Sequence, residues 1–140
     1  MKIISIAQPY ATLISIGAKK IETRSWQIRH RGPLGIHASY AFPQEAKNLC
    51  LTEPFKSVLM KAGYKSFKSF PLGQILATVK LVDCLDISHA RQRTDPQEFA
   101  FGDYLPGMWG WVLEDVYAFP SPIKARGKLG LWDYPLKELA

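Results

Sequence analysis

The stretch from Gly73 to Leu85, reading Gly-Gln-Ile-Leu-Ala-Thr-Val-Lys-Leu-Val-Asp-Cys-Leu, is the most continuous apolar strand pattern in the chain. A run with so few polar interruptions needs cover on both faces, which puts it at the centre of a barrel or sheet. Shorter β-forming segments surround it in sequence. Ile3, Ile4 and Ile6 make a strand that ends at Gln8-Pro9. Lys20 to Trp26 alternates polar with apolar, so Lys20, Glu22, Arg24 and Trp26 share one face and Ile21, Thr23 and Ser25 the other. Leu34 to Ser39 is a further strand, with Leu34, Ile36 and Ala38 inward and Gly35, His37 and Ser39 outward. Met108 to Phe119 is long and rich in β-formers, and Ile123 and Leu129 to Trp132 close the pattern.

Helices are fewer. Pro9 suits the first helical position, Tyr10, Leu13, Ile14 and Gly17 follow helical spacing, and Gly17 reads as the stop. Phe42 to Ala62 predicts one or two helices, interrupted near Thr52–Pro54 because proline disfavours helix in the residue before it. Gly63 to Pro71 reads as a loop, and Ser88 to Tyr104 as a polar segment with a short helix after Asp95-Pro96. Many strands with few, non-alternating helices imply an α+β fold, a small mixed β-barrel with peripheral helices, rather than a doubly wound sheet. At 140 residues the chain fits one domain over its whole length. Nothing approaches the roughly 18 consecutive apolar residues of a membrane span. Cys50 and Cys84 lack metal-ligand spacing and allow one disulfide, but two buried free thiols of a reducing compartment are the favoured reading, so the expected location is cytoplasmic.

Charge narrows the function. Of the net +6, residues 1–40 hold six basic side chains against Glu22 alone, +5. The remaining hundred hold twelve basic and eleven acidic, +1. Such a concentration suits an anionic partner, either nucleic acid or a nucleotide-like ligand, although on composition alone a solvated basic face without a dedicated partner is the stronger reading. Within this region Glu22 and Arg24 project from the same sheet face, where pairing would fix the guanidinium fork for a bidentate acceptor. Taken alone, the pair reads more readily as a surface salt bridge contributing at most about 1 kcal/mol.

Order and spacing say more. Gln8-Pro9-x-Ala11-x-Leu13-Ile14-x-x-Gly17-x-Lys19-x-x-Glu22-x-Arg24-x-Trp26, then Arg31-Gly32-x-Leu34-x-Ile36-His37-Ala38-Ser39, resembles the ASCH domain of the PUA-like superfamily, in its activating signal cointegrator-like branch. Gly73 to Cys84, Trp109-Gly110-Trp111-Val112-Leu113 and Gly130-Leu131-Trp132 resemble that family's later strands. The resemblance implies a PUA-like barrel of about five or six strands, peripheral helices, a cleft holding the polar motif, and binding of RNA or DNA, RNA first. It carries Gln8, Lys19, Glu22, Arg24, Trp26, Arg31, His37 and Ser39 as the nucleic-acid-binding set, to which the clustering of basic turn residues adds Arg29. Lys19, Arg24 and Arg31 would take phosphates, Trp26 and Tyr10 would offer a stacking platform, and Glu22 would orient Arg24 or accept from a base amino group.

A hydrolase is the alternative. ASCH-like proteins resembling this one deacylate an N4-acylated cytidine or cleave RNA, the former with a lysine, a threonine three residues on and a distant glutamate. Lys19 matches the lysine, but Glu22 stands in the threonine's place and the later strand offers Lys80 where the glutamate is expected. If the chain is an enzyme, Lys19 and Glu22 are the catalytic residues, Glu22 as general base and Lys19 as oxyanion donor. A protein partner held by exposed aromatics is a third reading. No cofactor is expected, and His30 and His89 lack ligand-spaced companions, so no metal is expected either.

Overall fold

A computed structural model describes residues 1–136 of the chain. The elements run β1 (Lys2–Ile6), α1 (Tyr10–Ser15), β2 (Ile21–Arg24), β3 (Gly32–Ala38), α2 (Gln44–Leu49), α3 (Phe55–Lys61), β4 (Gln74–Asp86), α4 (Ile87–Arg91), α5 (Pro96–Ala100), β5 (Trp109–Lys124) and β6 (Leu131–Asp133). The strands form one curled half-barrel sheet in the order β2-β5-β4-β3-β1-β6. β1 and β3 are parallel and the other pairs antiparallel. The α+β class and PUA-like architecture expected from the sequence are thus observed. No helix among the described residues is long and apolar enough to cross a membrane.

β4 sits inside the sheet between β3 and β5, and Ile75, Ala77 and Leu81 have no exposed surface. The concave face packs Ile4, Ile6, Leu34, Ile36, Ala38 and Trp111 into the main core against α1. A second core joins Leu13 of α1 to Phe55 and Leu59 of α3 and to Phe101 after α5. Here Gly17, at φ +80, stops α1, and the amides of Ala18 and Lys19 both turn back to Leu13 O. That reversal aims Lys19 inward before β2 begins.

Several expectations are corrected. Pro9 is the N-cap of α1 rather than its first residue. The alternating segment is strand only over Ile21–Arg24. An extra helix, α4, starts where Asp86 accepts from the amides of Ser88 and His89. β5 continues past Phe119 to Lys124, absorbing Ile123, and its tail covers the convex side of the sheet with Phe119 and Ala125. This cover explains the largest correction. His37, read as outward, is 2% exposed because its face is roofed by that tail and by Trp132.

The approach of α4 to β5 depends on Gly110. A Cβ there would lie 2.4 Å from Ala90 Cβ and 3.3 Å from Ile21 Cγ2, and neither neighbour is a flexible side-chain end. Gly110→Ala is therefore expected to cost about 1–3 kcal/mol by overpacking, measured by urea unfolding. Adding Ala90→Gly should restore part of that stability, and no recovery in the double variant would refute the close approach as its cause.

Candidate functional site

The polar motif becomes a buried array at the mouth of the sheet. Lys19, 2% exposed, sends Nζ to Ile21 O at 2.6 Å and to Phe101 O, and lies 3.8 Å from Glu22 Oε1. Glu22, 6% exposed, accepts from Arg24 Nε at its other oxygen, 3.0 Å away. Arg24 then reaches across the open side of the sheet, and Nη2 donates to Ser5 O on β1 at 2.9 Å. One charged chain thus links the α5 exit, β2 and β1. Burial pushes the Lys19 ammonium below the usual lysine range, opposed by the Glu22 and Glu98 carboxylates.

Beside this array lies a cleft of about 470 Å³. Its walls include Ser5, Tyr10, Glu22, Arg24 and Ser39 on one side and the Phe101–Asp103 turn on the other. Thr23 Oγ1 accepts from the Asp103 amide and so fixes that turn. Arg24 uses Nε and Nη2 internally, and Nη1 has no partner among the described residues. The result is a partly exposed, oriented guanidinium beside a carboxylate, with the Tyr10 phenol on the same wall. Burial, then Glu22 and Asp103, raises the Tyr10 hydroxyl above its ordinary range and keeps it neutral.

The other expected residues are dispersed. Gln8 is fully buried as a clasp, its Oε1 accepting from Thr12 N and its Nε2 donating to Pro71 O. Trp26 lies outside the cleft, edge-on to Trp111 at 4.8 Å. Arg29 and Arg31 are exposed on the β2–β3 connection, where Arg31 donates to Ile28 O and His30 O. Lys19 does not line the cleft.

His37 belongs to the opposite face. Ala125 O can only accept, so Nε2 is its donor at 2.7 Å. Nδ1 is left to accept from Ser5 Oγ at 3.0 Å, and Ser5 Oγ accepts from Trp132 Nε1 at 3.1 Å. Burial holds the His37 pKa below its usual value, partly offset by the bond to Ala125. Next to it opens a groove of about 1090 Å³, bordered by Ser39, Tyr40 and the loop Lys124-Ala125-Arg126-Gly127-Lys128. Sequence reasoning missed this loop, although its three basic residues in five were the available signal. It also missed Ser5, Asp103 and the Phe101 carbonyl, which no motif marks. Among the described residues no three His, Cys, Asp or Glu side chains group as metal ligands.

The ASCH domain model matches residues 4–123. The chain belongs to the ASCH domain family. Activating signal cointegrator 1 of Homo sapiens and that of Mus musculus are each 37% identical over 84 residues, 59% of this chain. That alignment spans 14% of either relative, so this ASCH domain corresponds to a small part of them. The crystal structure of ASCH from Zymomonas mobilis superposes with TM-score 0.51 at 17% identity, covering 88% of this chain and 72% of that one. A mutant form of the same protein gives 0.50 at 17% identity, over 88% and 74%. At that identity the likeness is one of fold.

Lys19→Met keeps the stem but takes the ammonium from Glu22 Oε1 and from two buried carbonyls. It should lower unfolding free energy by about 3–5 kcal/mol in urea titration, and a decrease below about 1 kcal/mol would mean that Lys19 is not the buried tie described. The His37 shift sets a pH dependence. Below about pH 6.5 the unfolded chain takes up a proton that the folded imidazole resists, so stability falls on acidification through that point. Glu98, whose pKa is raised by burial, contributes the opposite slope at lower pH. The readout is therefore the difference between wild type and His37→Gln, which should lose the decline near pH 6 in thermal unfolding.

Proposed function

We propose that residues 1–140 work as one nucleic-acid-binding ASCH module that takes an unpaired nucleotide, RNA ahead of DNA, in the cleft beside Arg24. The observation that carries this reading is the Arg24 guanidinium on the cleft wall, held by Glu22 and Ser5, with no partner for Nη1 among the described residues. A preoriented guanidinium with spare donors suits a phosphate or a base edge, and Glu22 beside it can accept from an exocyclic amine. Tyr10 and Met108 supply apolar contact for a base face. The volume, about 470 Å³, holds a small ligand group but not a duplex, and unpaired bases are the usual target of sequence-reading RNA contacts. The exposed Arg29 and Arg31 add salt-sensitive attraction.

Hydrolysis finds less support. Both catalytic roles need Lys19 and Glu22 to face substrate, whereas Lys19 Nζ faces the Ile21 and Phe101 carbonyls. Glu22 alone reaches the cleft.

A labelled single-stranded RNA at about 50 mM salt should bind with micromolar or better affinity by fluorescence anisotropy. Arg24→Ala and Ser39→Trp, the second of which narrows the cleft without touching the charged array, should each weaken it about tenfold or more. Circular dichroism should show both variants folded. Equal affinity in wild type and both variants would refute the cleft as the binding site.

A further inference from the structure

We propose that the groove between Tyr40 and the Lys124–Lys128 loop is a second site, taking the phosphate backbone and one unpaired base of single-stranded RNA next to the nucleotide in the cleft. The proposal rests on the reading of the cleft as a nucleic-acid site, and it adds a neighbouring backbone position and a strandedness that the cleft alone does not provide.

The two cavities differ in charge. The cleft wall mixes Arg24 with Glu22 and Asp103, a donor–acceptor pattern fit for a base edge. The groove is lined by Lys124, Arg126 and Lys128 with no acidic residue among the described ones, a pattern fit for phosphates. All three side chains are exposed and make no ion pair with the described residues. The cavities share Ser5 and Ser39 among their lining residues, which sets them next to each other.

The groove is built rather than incidental. The loop is held down by the bond between His37 Nε2 and Ala125 O. Gly127 lies so close that a Cβ would come 2.8 Å from His37 Cε1 and 2.9 Å from Ser5 Oγ. Its amide-rich backbone is therefore set in place before any ligand arrives, which spares the ordering cost of binding. On the opposite wall the Tyr40 ring leans on Gly73, where a Cβ would meet Cδ2 at 3.3 Å, yet Tyr40 stays 83% exposed. A supported, exposed ring beside basic side chains is a stacking platform, and a base must be unpaired to use it.

The test compares anisotropy titrations of a labelled 12-nucleotide single-stranded RNA and of a duplex of the same length. Wild type should prefer the single strand. Arg126→Ala/Lys128→Ala should weaken single-strand binding about tenfold or more and reduce the slope of log affinity against log salt by about 0.7 for each phosphate no longer neutralised. Tyr40→Ala should weaken single-strand binding at least about fivefold, with duplex binding unchanged and Tyr40→Phe near wild type. Weakened binding in Arg24→Ala with none in the groove variants would overturn this proposal and spare the cleft. Weakened binding in the groove variants with none in Arg24→Ala would keep the groove and remove the cleft. Equal effects on single strand and duplex, or absence of RNA binding by wild type, would overturn the proposal as well.

Discussion

Lys19 buries an ammonium at the point where three parts of the chain meet, and most of the site geometry follows from how that charge is satisfied. Its hydrogen bonds go to the carbonyl at the start of β2 and to the carbonyl that ends α5, with Glu22 completing the set. A buried ion pair is weak evidence for stability, because apolar residues of similar volume often serve as well or better. What an apolar replacement could not do is hold the Phe101–Asp103 turn by its carbonyl while turning Glu22 toward Arg24. The ammonium therefore acts on orientation. It sets the far wall of the cleft and, through Glu22, the direction of the guanidinium on the near wall.

Arg24 also has a structural task in the sheet. β2 and β1 lie on opposite sides of the strand order, and no backbone ladder joins them. The guanidinium spans that gap to Ser5 O, so the half-barrel is drawn together by a side chain that remains partly open to solvent. A group with both tasks has little rotamer freedom left to lose on meeting a ligand, so more of the interaction energy appears as affinity.

How much of this was legible in the sequence depends on the range of the interaction. The pairing of Glu22 with Arg24 follows from the strand period of two, and the central place of β4 follows from its nearly continuous apolar pattern. The burial of Lys19 is not local. It needs the Phe101 carbonyl, 82 residues away, and a lysine after a helix-stopping glycine is ordinarily solvated. The His37 error has the same root. Alternation tells which side chains share a face, but whether the second face is covered was decided by the tail of β5 and by Trp132. The Lys124–Lys128 loop escaped for a different reason. Counting charge over a hundred residues gave +1 and averaged away a run of three basic residues in five.

Ser5 ties the two cavities together at the level of a single residue. A strand carries its carbonyl in the plane of the sheet and its side chain perpendicular to it. Ser5 O accepts from Arg24 at the cleft, while Ser5 Oγ sits between Trp132 and His37 behind the groove. The parallel pairing of Ser5 with His37 fixes the distance between those two attachments. Cleft and basic loop are thus referenced to the same strand position, and a shift of β1 that opened one would displace the other. For a ligand that runs through both, such a rigid reference keeps the spacing between a base contact and the neighbouring phosphate contacts constant.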